Sequence, residues 1–105
     1  MRQLVDIRKV SFTVTMNPTE KLNQNGKQKI NRDGAPMWAT QVMALDETGA
    51  EVLSITVAGQ KPNATVGQLV VPVELEAIPW NNNGKHGIAY RAVELKSASA
   101  SASSK

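Results

Sequence analysis

Along most of this chain, apolar and polar residues alternate with a period of two, which is the pattern of β-strands that bury one face. The clearest example is the set Val10, Phe12, Val14 and Met16, which alternates with Ser and Thr. No stretch carries the sustained apolar stripe of an amphipathic helix. The one gap that suits a short helix, residues 60–67, contains Pro62 and Gly67. The sequence therefore predicts an all-β protein.

Turn-forming residues divide the alternating segments into five predicted strands, which span residues 10–16, 37–45, 51–58, 69–77 and 88–95. Asp46-Glu47-Thr48-Gly49 predicts a hairpin turn between the second and third strands, and Asn81-Asn82-Asn83-Gly84 predicts one between the fourth and fifth. Apolar residues before Arg8-Lys9 have the opposite parity from those after it. This change predicts a bend or bulge at that point.

The fourth predicted strand has a marked apolar face. The alternation places on its inward face Leu69, Val71, Val73, Leu75 and Ala77. Glu74 and Glu76 then fall on the other face, where we expect both carboxylates to be solvated rather than to form a catalytic pair. Pro72 lacks the N–H that a strand ladder needs, so we expect it at an edge or a bulge.

The order of strands and loops indicates an OB-like fold, a five-stranded Greek-key barrel, with other small barrels and sandwiches as alternatives. The loop between the first two strands (L12, residues 17–36) is long, polar and basic, and Asn25-Gly26 within it suits the turn of a projecting ribbon. Residues 1–96 are the predicted domain. Residues 97–105 are almost entirely Ser and Ala, which predicts a disordered tail.

Composition argues against catalysis and against a metal or other cofactor. The chain of 105 residues has no Cys and a single His, so it lacks thiolate chemistry and a His-rich or Cys-rich metal site. His86 has no nucleophile beside it at a recognisable elbow. The charged opening segment is unlike a signal peptide and no apolar run reaches membrane-spanning length, so we expect a cytoplasmic protein that does not enter the membrane.

The net charge is only +3, but basic residues concentrate in the L12 loop. The loop contributes Lys21, Lys27, Lys29 and Arg32, and Trp38 follows it directly. Cations for phosphates beside an aromatic face for a base are what single-stranded nucleic-acid binding needs. The alternatives are a loop that is only solvated, and a Trp38 that belongs to the core rather than to a base-stacking platform.

A second group of candidate binding residues comes from the last predicted hairpin. These are Trp80, Lys85, His86, Tyr90 and Arg91. Trp80 has the parity of the glutamates rather than of the apolar set, so we expect it to be exposed. The ring of Tyr90 suits either stacking or partial burial with an anchored hydroxyl.

Several short motifs resemble small proteins of actinomycete conjugative plasmids and integrative elements. The motifs are Pro36 to Asp46, Val66-Gly67-Gln68, Ala77-Ile78-Pro79-Trp80 and His86 to Ala92, within a resemblance that covers about residues 8–95. Proteins of this kind are encoded near replication and transfer genes and are labelled hypothetical or regulatory. The resemblance implies an accessory protein that handles nucleic acid, with an OB-like binder of single-stranded DNA as the natural expectation, but it supplies no functional residues.

Together these observations predict a protein that binds single-stranded DNA, with RNA as an open alternative, largely without sequence preference. We expect the ligand to bind the L12 loop, the face of the second and third strands and the last hairpin. The rival prediction is a protein-interaction module that recruits a replication or transfer protein through an exposed strand edge and Trp80. A duplex-binding regulator ranks third because no helix-turn-helix pattern is present. We also expect a homodimer, because short strands leave edges that a second copy covers.

Overall fold

The computed structural model describes residues 4–98, and these residues form seven β-strands and no helix. The strands are β1 (Ser11–Glu20), β2 (Met37–Asp46), β3 (Gly49–Ala58), β4 (Leu69–Val73), β5 (Glu76–Asn82), β6 (Lys85–Arg91) and β7 (Glu94–Ser97). The all-β prediction is confirmed. Across residues 4–98, no helix has the length and apolar character that crossing a membrane requires.

The strands form one mixed sheet in the order β5-β6-β3-β2-β1-β4-β7. β1, β2 and β3 are an antiparallel meander, in which Thr13 pairs with Met43 and Met43 pairs with Val52. β3 and β6 run parallel and pair only at Ile55–Tyr90 and Thr56–Arg91. The other ladders between named strands are antiparallel.

The structure has seven strands where the sequence indicated five, because the last two predicted strands are each interrupted once. Glu74 has a left-handed backbone, with a φ of 53°, and it separates β4 from β5. Residues 92–93 separate β6 from β7. The interruptions lie opposite one another: Val73 pairs with Glu94 on one side and Glu76 with Arg91 on the other, so both ladders keep one register. The four strands are thus two arms of one long hairpin.

The left-handed turn at Glu74 also overturns the predicted face of this segment. In β4 the buried residues are Val70 and Pro72, whereas Leu69 and Val71 are each 41% exposed. After the turn the inward parity changes, and Leu75 is buried. Pro72 lies beyond the two residues of β4 that pair with β1, in line with the edge predicted for it.

The expectation that Glu76 is solvated is wrong, because its side chain is only 9% exposed. The predicted bend before β1 is present, since the backbone N–H of Val10 donates to the Ile7 carbonyl across Arg8-Lys9. Val5 and Ile7 pack against a core that comes from most of the strands. Its buried members include Phe12, Val14, Val42, Ile55, Val57, Val70, Leu75 and Leu95.

β1 is longer than predicted, so the loop that follows it begins at residue 21 rather than 17. Register shifts after Val14 and after Met16 let the strand continue to Glu20 past a buried Pro18. Residues 21–36, named here the basic ribbon, are not without structure, since Leu22 bridges to Gln28 and Ile30 to Pro36.

Two tight turns shape the basic ribbon. The Asn23 side chain accepts hydrogen bonds from two backbone amides of the first turn, and Gly26 has a φ of 80° there, which confirms the turn predicted at Asn25-Gly26. The Asn31 side chain accepts equivalent bonds in the second turn. At the other end of the chain, β7 includes Ser97, and the Ala98 N–H donates to the Leu69 carbonyl, so the ordered sheet passes the predicted boundary at residue 96. The rest of the predicted tail, residues 99–105, lies outside the described residues.

Candidate nucleic-acid interface

A groove of about 750 Å³ opens where β3 and β6 diverge. The two strands pair only through residues 55–56 of β3 and 90–91 of β6. Residues 50–54 of β3 and 85–89 of β6 therefore face one another without pairing. Residues from both strands, from β5 and from the basic ribbon line this β3–β6 groove, among them Lys21, Val52, Thr56, Trp80, His86 and Tyr90. Four of the ten predicted site residues therefore meet around one groove.

Trp80 provides an exposed aromatic surface in the β3–β6 groove. It is 46% exposed, in agreement with the sequence prediction, and it lies across from Gly87 in the β5–β6 ladder. A Cβ atom added to Gly87 would lie 2.7 Å from Cζ2 of the Trp80 ring, far inside ordinary carbon–carbon contact. Only glycine at position 87 lets the indole rest directly on β6, which holds the ring in place and leaves it accessible.

Further apolar side chains line the groove. Val52 on β3 is 61% exposed and Ile88 on β6 is 55% exposed, and both line the groove. Tyr90 is half-buried; it packs against the core and also contributes to the groove wall. Apolar and aromatic side chains that remain exposed together are typical of a binding surface.

Lys21 lies at the end of the groove where β3 and β6 come together. Its Nζ donates a hydrogen bond to Oγ1 of Thr56 at 2.9 Å, and the Thr56 residue is only 7% exposed. Partial burial lowers the pKa of Lys21, and the nearby charge of Lys29 lowers it further. Because burial and the charge of Lys29 both disfavour the Lys21 ammonium, an anion beside it would be favoured.

Arg91 follows Tyr90 at the end of β6 and pairs with Thr56 across the parallel ladder. Its Nε donates to Oε1 of Glu76 at 2.9 Å. The Arg91 side chain is 58% exposed while that of Glu76 is 9% exposed. Arg91 therefore neutralises a buried carboxylate and still presents part of its guanidinium to solvent.

Most of the other predicted basic residues do not line the groove. Lys27, Lys29 and Arg32 are exposed on the basic ribbon, and Lys29 is the one near enough to affect Lys21. Lys85 is exposed at the start of β6, beside the turn at Asn83-Gly84. His86 is exposed and lines the groove.

Trp38 lies outside the β3–β6 groove and has a structural environment of its own. It shares the inward parity of β2 with Thr40 and Val42, both of which are 0% exposed. Its Nε1 donates to the Gly59 carbonyl at 2.9 Å, and Lys61 Nζ lies 5.8 Å from the ring centroid. Of the two interpretations that the sequence left open, the contacts favour a half-buried tryptophan at the margin of the core.

The sequence prediction assigned binding to the face of the second and third strands, but it named no β3 residue that lines the groove. Val52 and Thr56 line it, and Ser54 lies between them on the same face. The available signal was the outward parity of Val52, which follows Glu51 and shares a strand face with Ser54. The parting of β3 from β6 has no local signal, because it depends on how two strands distant in sequence approach one another.

Comparisons of this chain with family models, with curated proteins and with solved structures find no match. The functional inference therefore rests on the chemistry of the groove.

Proposed function

We propose that this protein binds single-stranded nucleic acid, and single-stranded DNA in particular, along the β3–β6 groove without strong sequence preference. The observation that carries the proposal is the exposed Trp80 ring held against Gly87 in a groove whose other end carries Lys21. Aromatic rings bind every base by stacking, and lysines bind the phosphates that all sequences share. This pairing of groups suits a ligand with alternating apolar and anionic parts.

We further infer an OB-like Greek-key barrel for the fold. The two ends of the sheet belong to the same interrupted hairpin, so β4 with β5 counts as one strand and β6 with β7 as another. In OB-folds the ligand lies on the face of strands 2 and 3, between the loop after strand 1 and the loop between strands 4 and 5. The basic ribbon and the turn at residues 83–84 correspond to those loops, and the groove runs beside β3.

The resemblance to small proteins of actinomycete mobile elements supports a role in the replication or transfer of such an element, with the protein acting in the cytoplasm. In that role the protein would cover single-stranded intermediates. Sequence-independent binding suits this task because every part of the strand must be bound.

The two tryptophans make a direct test with fluorescence. Trp38→Phe leaves Trp80 as the probe in the groove, and Trp80→Phe leaves Trp38 outside it. On titration with oligo-dT at low salt, we expect quenching in the Trp38→Phe variant and little change in the emission of the Trp80→Phe variant. Circular dichroism on both variants verifies the fold. The proposal would be refuted if neither variant nor the unaltered protein bound oligo-dT.

Charge contributions can be tested with paired lysine variants. Lys27→Gln with Lys29→Gln removes two cations from the basic ribbon, and Lys9→Gln with Lys96→Gln removes two exposed cations elsewhere. The ribbon pair should weaken binding to all sequences alike and reduce the salt slope by about 0.7 for each lost phosphate contact. The control pair should leave the slope nearly unchanged. Equal effects of the two pairs would show that the ribbon has no specific role.

A second candidate function is supported by the unpaired edges of β3 and β6. An extended peptide could pair its backbone with either edge, while Trp80, Val52 and Ile88 contact alternate side chains. The partner would then be a replication or transfer protein. Salt separates the two functions, because a mainly apolar peptide interface loses little affinity between low and moderate salt, whereas phosphate binding falls steeply.

A further inference from the structure

Cationic and hydroxyl groups converge at the closed end of the β3–β6 groove. Lys21 Nζ donates to Oγ1 of Thr56, and Arg91 pairs with Thr56 across the parallel ladder, so their side chains lie on the same outer face. Lys29 lies beside Lys21 in the basic ribbon, because its backbone N–H donates to the Lys21 carbonyl. Ammonium, guanidinium and hydroxyl groups are donors from which phosphate oxygens accept hydrogen bonds.

The positive charge at this end is only partly compensated. Within residues 4–98, neither Lys21 nor Lys29 forms an ion pair, and Arg91 is paired with Glu76. The carboxylate that lines the groove belongs to Glu51, which lies five residues from Thr56 along β3, roughly 16 Å at the usual rise of a strand. Glu76 compensates Arg91, so the two cations that are left, Lys21 and Lys29, match the two charges of a dianion better than the single charge of a phosphodiester.

We propose that the closed end of the groove, formed by Lys21 and Thr56 with Lys29 and Arg91 beside them, is a subsite for the terminal phosphate of a bound strand. This proposal rests on the proposed function and adds recognition of a strand end to it. A phosphate monoester carries close to two negative charges at neutral pH, whereas a phosphodiester carries one. The hydroxyl of Thr56 accepts from Lys21 and can donate its own proton to a phosphate oxygen.

The geometry of the groove also places the adjoining bases. Gly87, on which Trp80 rests, precedes Arg91 by four residues on β6, or roughly 13 Å along the strand. A strand whose terminal phosphate contacts Lys21 would extend toward the open end and bring a base near the end of the strand onto Trp80. The closed end, where β3 and β6 pair, blocks further passage of the chain in the plane of the sheet.

The test compares three oligo-dT strands, which carry a 5′-phosphate, a 3′-phosphate or hydroxyls at both ends. Each strand carries its fluorophore at an end that has no phosphate. Anisotropy at low salt gives the affinities. We expect one phosphorylated form to bind about tenfold more tightly than the hydroxyl form, as one added charge-assisted contact confers. Which phosphate is preferred identifies the polarity of the bound strand.

Variants then assign the preference to the subsite. Lys21→Gln should abolish the advantage of the phosphorylated strand, and Lys21→Arg should retain most of it. The control Lys96→Gln removes an exposed cation of β7, away from the groove lining, and should leave the advantage unchanged. Equal binding of all three strands by the unaltered protein would overturn the subsite while leaving the proposed function intact. Retention of the preference in Lys21→Gln would also overturn it. Failure of every strand to bind would refute the proposed function itself.

Discussion

Gly87→Ala is the most informative single change in the groove, because it disturbs Trp80 without altering the indole. The added Cβ would stand 2.7 Å from Cζ2, 3.0 Å from Cε2 and 3.2 Å from Nε1 of the ring. Carbon atoms in favourable contact lie about 3.5–4.0 Å apart, so the ring must retreat by about 1 Å or tilt. A displaced ring loses its fixed orientation toward the groove.

The expected loss of affinity follows from the value of one stacked base. Base–aromatic stacking contributes about 1–3 kcal/mol for each base, so losing much of it should weaken oligo-dT binding about tenfold. Stability should change little, since the backbone at Gly87 is not left-handed and alanine suits a strand better than glycine does. Urea unfolding of the variant measures this separately from binding.

A double-mutant cycle shows whether Gly87→Ala acts through Trp80. In the Trp80→Ala background there is no ring to displace, so Gly87→Ala should add no further loss of affinity. Anisotropy titrations with labelled oligo-dT on the four proteins give the coupling. An unaltered affinity in the single Gly87→Ala variant, or the same loss in both backgrounds, would refute the reasoning.

Three further predictions concern stability and ionisation. Thr40→Val should raise the free energy of unfolding by about 1–2 kcal/mol, because the Thr40 hydroxyl is buried without a hydrogen-bond partner among residues 4–98. Urea unfolding that showed a less stable variant would contradict this. Gly84→Ala should lower that free energy by about 1 kcal/mol, since the turn requires a φ of 81° there, and an unchanged midpoint would count against it. The side chain and backbone N–H of Arg8 donate to Asp6 and lower the pKa of its carboxyl to about 2, so NMR titration should find that value and Arg8→Ala should return it toward 3.8. The ion pair therefore stabilises the fold above pH 3.8 and is lost as the pH falls through about 2, and an ordinary pKa in the unaltered protein would refute it.

The class of fold could be predicted because it depends on local pattern. Alternation in residues 10–16 and 51–58, together with the Asn83-Gly84 turn, indicates strands and hairpins without any knowledge of their neighbours. The interruption at Glu74 could not be predicted. A glutamate rarely adopts a left-handed backbone, so the sequence carries no warning that the inward parity changes there.

Part of the candidate site could also be predicted. Trp80 is exposed and the basic ribbon carries its lysines, as parity and composition indicated. Trp38 stayed ambiguous because both faces of its strand are apolar, and the choice depends on the Gly59 carbonyl that its indole reaches. Glu76 appeared solvated because its partner, Arg91, lies on another strand.

The sequence by itself determined that this chain forms strands rather than helices, where its main hairpins turn, and that its cations gather in one segment beside an aromatic residue. These properties depend on neighbours within a few positions, where side-chain periodicity and turn chemistry act directly. Only the tertiary structure decided that β3 and β6 pair at two positions and then part, which creates the groove and brings Lys21 to Thr56, 35 residues away. Contacts at such separation depend on the packing of the whole sheet, and no local pattern encodes them.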